Sequence, residues 1–202
     1  GGGVKVTLNL PSMLDSDGAT AVEVNQEGRT ITVEYPEMFL VATYVPNSGD
    51  KLQRLAFRTE IWDKRLQEYL ISLESSGKPV VWCGDLNVCS KDEDIWNVGA
   101  KHLAKSAGTT KEERDSFAHG LEKGKFVDCF RHVHGIEATG WYSYWSVRAG
   151  NMPWNRGLRL DYFVASESLI KDPGNGPRVV DTAVLSEFVA LDHAAISLTI
   201  AL

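Results

Sequence analysis

The sequence of 202 residues has no long uninterrupted apolar run, so nothing in it reads as a membrane-spanning helix. Cysteine is scarce. Cys83, Cys89 and Cys129 make an odd set without CxxC spacing, which argues against a disulfide framework and a zinc site. Reduced thiols point to an intracellular, reducing compartment: nucleus, cytoplasm or organelle matrix. A basic excess is missing too, because 21 Lys and Arg stand against 27 Asp and Glu for a net charge of -6. A nucleic-acid partner would have to be gripped by a local patch. Gly1 to Leu10 lacks the charged start and long apolar centre of a targeting segment and reads as a strand. With no internal repeat, low-complexity stretch or linker, residues 1–202 are expected to form one domain, and 43% hydrophobic with 24% charged residues is ordinary for a globular chain.

What is present alternates between strand and helix signals. Val4–Leu10, Arg29–Tyr35 and Phe39–Val45 read as three strands of a meander, with Gly18 in the first loop and Pro46 ending the third strand. A helix is predicted from Leu52 to Leu73, where Leu55, Ile61, Trp62, Leu66, Tyr69, Leu70 and Leu73 recur near a 3.6 period. Val80–Cys83 is a buried strand, after which Gly84 is expected to turn the backbone sharply and leave Asp85 and Asn87 pointing together. Thr110-Lys111-Glu112-Glu113 has the form of a capping box and opens a second helix, expected to run to Gly120. Phe126–Phe130 is a short buried segment. Trp141, Tyr142, Tyr144 and Trp145, with Trp154 and the interleaved Arg148, Arg156 and Arg159, make either a packed sheet edge or a stacking surface. Leu158–Ala165, Val179–Leu185 and Ala194–Leu202 read as the last strands, with a Gly/Pro-rich loop over Asp172–Pro177.

Polar residues gather at the strand ends: Tyr44, Asn47, Asp85, Asn87, Asp161, Asp192 and His193. Each alone has an ordinary structural role; Asp161, for instance, could pair with Arg156 or Arg159. Together they make a coherent set. Asp85 could take a proton from water that Asn87 orients, and His193 with Asp161 could donate to a phosphate oxygen. Asp85 and Asp192 are hard oxygen donors suited to Mg²⁺. Metal-assisted hydrolysis of a phosphodiester is the reaction class that uses all of these groups.

Four ordered motifs, Tyr44-Val45-Pro46-Asn47, Gly84-Asp85-Leu86-Asn87, Gly157-Leu158-Arg159-Leu160-Asp161-Tyr162-Phe163 and Asp192-His193, resemble the signatures of the exonuclease III type of apurinic/apyrimidinic endonuclease. That group belongs to the endonuclease/exonuclease/phosphatase superfamily. The likeness extends to Asn25–Arg29, Asp94–Asn97 and Ser106–Thr109 and covers nearly all of the chain from Val4. It implies an α/β fold, a four-layer sandwich of two mixed β-sheets flanked by helices, and incision of DNA at abasic sites with Mg²⁺ (or Mn²⁺), with 3'-exonuclease action possible. By position, the resemblance makes Tyr44, Asp85, Asn87, Asp161 and His193 catalytic and Asp85, Asn87 and Asp192 metal-binding. Asn47 would contact the scissile phosphate and Asn97 the DNA backbone. Tyr144, Leu158 and Leu160, backed by Trp145, match the apolar pocket for the extruded abasic sugar, which is cheap to flip because it carries no base to unstack.

The chain also departs from the pattern. Family members open with a strand ending in Asn and, some thirty residues on, a Gln-Glu strand whose Glu is the principal metal ligand. Neither is found here, which leads to the expectation of an incomplete N-terminal part and an exposed apolar sheet face. The last motif reads Leu191-Asp192-His193-Ala194-Ala195 where a Ser usually precedes the Asp. Three expectations follow: an active endonuclease whose N-terminal part comes from a separate polypeptide or was lost by processing, a non-catalytic fold remnant serving as a structural subunit of a larger complex, and a hydrolase of another phosphoester.

Overall fold

Alternating side chains over Lys5–Leu8 and Thr30–Glu34 pair as antiparallel strands β1 and β2, and β2 pairs in turn with β3, Phe39–Tyr44. The computed structural model describes residues 4–11, 24–171 and 176–202. Gly1–Gly3, Gly18 and most of the Asp172–Pro177 loop lie outside the described residues. After β3 the chain runs through helix α1, Asp63–Glu74, into β4, Val80–Asp85, which lies parallel to β3 with Tyr44 opposite Asp85. Helix α2, Lys111–Gly124, leads to the short strand β5, Phe126–Asp128, and helix α3, Cys129–His134. Strand β6, Asp161–Ser166, then inserts between β4 and β5, completing a six-stranded sheet in the order β1-β2-β3-β4-β6-β5. Strands β7, Arg178–Ala190, and β8, His193–Ala201, form a separate antiparallel pair.

The pleat divides the core. One face of the large sheet sends Val41, Val80, Trp82, Tyr162 and Val164 against Leu66 and Leu70 of α1 and Phe117 of α2. The other sends Leu40, Val81, Phe163 and Ala165 against Val179, Leu198 and Ile200 of the β7–β8 pair. Each fully buried Leu or Val here is worth about 1.5–3 kcal/mol relative to exposure. Stacking of helices, mixed sheet and second sheet gives the α/β sandwich the sequence implies. The second sheet is antiparallel and, among the described residues, has two strands. It does not reach β1 and β2, whose Val6, Leu8 and Ile31 on that face are 57%, 67% and 44% exposed.

Local departures from the sequence expectations have physical causes. The helix predicted from Leu52 opens as a separate 3₁₀ turn, Asp50–Leu52, then widens into a π-helical segment, Phe57–Trp62, that feeds α1. Within it Arg58 is buried and turned toward the ends of β3 and β4. Gly84 does not turn the chain. It lies inside β4 with φ +124°, where a Cβ would sit 2.0 Å from the Thr43 carbonyl oxygen, so only glycine lets β3 and β4 approach this closely. The turn comes at Asn87, φ 49°. Helix α2 starts on the expected Thr110 cap, with Glu113 completing the box, but passes through Gly120 to Gly124. At Gly120 the side chain of Gln67 from α1 packs where a Cβ would stand. Leu158 lies ahead of β6 and makes only isolated bridges to Ile95 and Tyr144. Strand β7 extends past Leu185 through a bulge to Ala190, so that Leu191 and Asp192 form a two-residue hairpin loop.

Candidate active site

Parallel pairing of β3 with β4, and antiparallel pairing of β4 with β6, place Tyr44, Asp85 and Asp161 side by side across three strands. Register partners share a face of a sheet, so this row follows from the strand order. Beyond β4 the left-handed Asn87 folds back, its backbone N–H donating to Asp85 Oδ1 at 2.9 Å and its Nδ2 to Asp85 Oδ2 at 3.2 Å. Asp85 and Asn87 thus meet through a turn, not through strand alternation. Asn47 Nδ2 donates to Asn87 Oδ1 at 2.8 Å, and Asn87 Nδ2 donates to the Val45 carbonyl at 2.9 Å. Tyr44 is exposed, with the Arg29 guanidinium 4.7 Å from its ring centre.

Arg58 fixes both loops from beneath. Its guanidinium donates to the carbonyls of Pro46 (3.1 Å), Leu86 (2.8 Å) and Asn87 (3.2 Å) and, through Nε, to Asp63 (2.9 Å). Sequence reasoning missed this residue because a single Arg in an amphipathic helix reads as surface. Buried Ser48 and Thr110 both donate to the carboxylate of Glu113, tying the loop after β3 to the cap of α2.

Across the row, His193 Nδ1 lies 2.7 Å from Asp161 Oδ2. Burial works against the imidazolium, but the hydrogen bond and charge of Asp161, with Asp85 and Asp192 nearby, outweigh it and raise the His193 pKa. The Asp85 carboxyl is pushed up to about 6, first by burial and then by the Asp161 charge, while the Asn87 backbone hydrogen bond opposes the shift. Ser143, fully buried and also missed in the sequence, accepts the Leu160 and Asp161 backbone N–H groups through Oγ, each at 3.0 Å. Its carbonyl accepts the Ala194 N–H at 2.8 Å, so one serine joins the start of β6 to the start of β8. His193 is the first residue of β8, and Asp192 sits in the hairpin loop with its carbonyl accepting the Trp145 N–H at 2.9 Å.

An apolar cluster adjoins these groups. Tyr144, Leu158 and Leu160 pack with Cys89 and Ile95, and the Tyr144 ring centre is 5.1 Å from that of His193. Trp145 is buried behind, in a different cluster with Phe130 and Tyr142, its indole N–H donating to Asn155 at 3.1 Å. Asn97 lies one residue beyond Trp96, whose backbone is hydrogen-bonded to Gly157, the residue before Leu158. Next to this cluster runs a buried ionic network. Asp94 pairs with Arg159 (2.7 Å) and Arg131, and Arg159 with Asp128 (2.6 Å). Arg159 is therefore committed to Asp94 and Asp128, and Asp161 is left to His193.

The described residues do not by themselves complete a cation site. No group of three or more His, Cys, Asp or Glu among them is arranged to hold a metal ion. Asp85, Asn87 and Asp192 each have a side-chain oxygen to offer; those of Asp85 already accept from Asn87, and that of Asn87 accepts from Asn47, which leaves each a further lone pair. Cys83, Cys89 and Cys129 are free, and no described helix is long and apolar enough to cross a membrane.

Comparison with known proteins places this geometry. An exodeoxyribonuclease of Bacillus subtilis is 39% identical over 183 residues, which is 91% of this chain and 68% of that protein. A DNA-(apurinic or apyrimidinic site) endonuclease of Dictyostelium discoideum is 47% identical over 148 residues, 72% of this chain and 39% of that one. The crystal structure of an AP endonuclease from Leishmania major superposes with a TM-score of 0.80 at 31% identity, covering 96% of this chain and 60% of its own. The chain thus spans between about two fifths and two thirds of these proteins. Their remaining length belongs to the same polypeptide as the matched part, which gives no support to a separate completing chain. The profile of the endonuclease/exonuclease/phosphatase family matches residues 13–180, and with these relatives it establishes that the chain belongs to that family.

Proposed function

We propose that this chain carries the phosphodiester-hydrolysing site of a DNA repair nuclease that incises beside abasic sites with a divalent ion, Mg²⁺ or Mn²⁺. The observation that carries the reading is the His193–Asp161 pair facing Asp85 beside the apolar cluster of Tyr144, Leu158 and Leu160, which we read as the recess for the sugar. The names of the Bacillus, Dictyostelium and Leishmania relatives support it. Asp85, with a carboxyl near 6, is ionised in most molecules at neutral pH and accepts the proton of an attacking water. Asn87 and Asn47 hold that carboxylate and the adjoining phosphate. The imidazole of His193, oriented through Nδ1 by Asp161, presents its other nitrogen to a phosphate oxygen. Tyr44 reaches the same phosphate from β3, and Asn97 holds the DNA backbone. Tyr144, Leu158 and Leu160 receive the extruded sugar, with Trp145 closing the recess from behind. Attack at phosphorus cleaves the bond to the 3' oxygen of the preceding nucleotide and leaves a 3'-hydroxyl. A divalent ion supplies charge neutralisation at the phosphate when bound, with Asp85 and Asp192 the carboxylates nearest to offer oxygens.

A duplex oligonucleotide with one abasic-site analogue, incubated with Mg²⁺ and with EDTA, tests the reading. Incision 5' to the site, abolished by EDTA and reduced about 10²–10⁴-fold in His193→Ala and Asp85→Asn, is expected. The altered last motif, Leu191-Asp192-His193-Ala194-Ala195, supports a second reading, a non-catalytic structural subunit. Under that reading no incision is seen and both variants behave as the parent chain does.

A further inference from the structure

Three side chains beside the recess have no part in the hydrolytic site. Trp96 and Trp154 are 40% and 71% exposed, and the Arg156 guanidinium lies 5.2 Å from the first ring centre and 5.8 Å from the second. An indole left in water forgoes one of the largest burial gains a side chain can make. Arg156 has no ion-pair partner among the described residues. Arg148 stands in the same loop, so this edge of an acidic chain carries two exposed cations.

The cluster is held in place. Met152–Trp154 forms one 3₁₀ turn, and the left-handed Asn155 after it donates to the Gly140 carbonyl at 3.0 Å and accepts from the Trp145 indole at 3.1 Å. On the other side the Trp96 N–H donates to the Gly157 carbonyl at 3.2 Å, and Ile95 bridges to Leu158. Both tryptophans are thus fastened to the segment that lines the recess.

We propose that Trp96, Arg156 and Trp154 form a nucleotide subsite that takes one unpaired nucleotide of the DNA strand next to the recess, its base stacked on an indole and its phosphate on Arg156. This rests on the reading of DNA as substrate. Every base has a π-face, so the indoles bind without sequence preference, and an unpaired guanidinium complements a phosphate. An apolar partner would use the indoles and leave Arg156 without a counter-charge.

Titration of the chain's tryptophan fluorescence with an eight-residue oligothymidylate tests the subsite. The parent chain is quenched on binding. Trp154→Ala and Arg156→Gln each weaken binding by about 5- to 100-fold, and Trp154→Phe, which keeps a π-face, retains most of it. Arg156→Gln also lowers the slope of log affinity against log salt by about 0.7. Equal affinity in the parent and all variants overturns the subsite, as does a Trp154→Ala chain that loses self-association while binding the oligonucleotide unchanged. Incision of the abasic duplex by the parent chain, measured alongside, separates the two claims. Variant-sensitive oligonucleotide binding without incision removes the nuclease reading and keeps the subsite; incision with variant-insensitive binding removes the subsite alone.

Discussion

At the scale of single residues, the loops that carry Asn47 and Asn87 depend on a side chain buried beneath them. Arg58 satisfies three loop carbonyls and Asp63 at once, inside the core. Arg58→Met leaves the buried Asp63 without a counter-charge, with the Ser116 hydroxyl still donating to it, and a loss of about 3–5 kcal/mol is expected in urea unfolding, partly recovered by adding Asp63→Asn. A loss below about 1 kcal/mol would show that water or neighbours replace the guanidinium. Asp94 gives a pH signature. Burial raises its pKa, but the charges and hydrogen bonds of Arg159 and Arg131 prevail and set it below the ordinary value. Its contribution to stability is therefore complete at neutral pH and is lost as pH falls from about 4 through the lower folded value. Asp94→Asn should flatten the acid limb of the stability curve, measured by denaturant midpoints between pH 6 and 3. The motif residues Tyr44, Asn47, Asp85, Asn87, Asp161 and His193 were legible in the sequence because each lies at a strand end or in the loop just beyond one. Arg58, Ser143 and Glu113 were not, since what marks them is burial, and burial of a polar side chain has no one-dimensional pattern.

Among the elements, the strands were read well and the irregular pieces poorly. Alternation identifies β1, β2, β3 and β8 directly, and the Thr110–Glu113 box fixes the start of α2. The π-helical segment was invisible, because Phe57–Trp62 has ordinary helical composition and widens only to bring Arg58 inward. Gly84 misled for a related reason: a glycine after an apolar run signals a turn equally with a close approach of two backbones. The β7–β8 hairpin carries a local conflict at its tip. Leu191 adopts φ 61° at the first of two loop positions and is 90% exposed. That position favours glycine, and a branched side chain there gains nothing from packing. Leu191→Gly is expected to raise the denaturant midpoint by an amount equivalent to about 0.5–1 kcal/mol. A fall in the midpoint would mean that Leu191 is packed in solution.

For the molecule as a whole, sheet order is what the sequence could not supply. The three-strand meander was expected and found, but the insertion of β6 between β4 and β5 brings Asp161 beside Asp85, and no local pattern encodes that neighbour. The resemblance to the nuclease family implied the layered sandwich and the pairing of His193 with Asp161, but not this strand order. Which strands carry exposed apolar side chains was not legible either: Leu8 of β1 and Ile31 of β2 are 67% and 44% exposed. The parallel register of β3 and β4 has a kinetic consequence. Tyr44 and Asp85 become neighbours only after the chain between them has closed a crossover through α1, and His193 must close a second long loop to reach Asp161. Long-range closure of this kind is slow. The Val45 amide, bonded to the Asp85 carbonyl, and the Leu86 amide, bonded to the Leu160 carbonyl, should then exchange hydrogen only through complete unfolding. Their exchange free energies would equal the global stability at every denaturant concentration, and a smaller value at either amide would reveal a site that opens on its own.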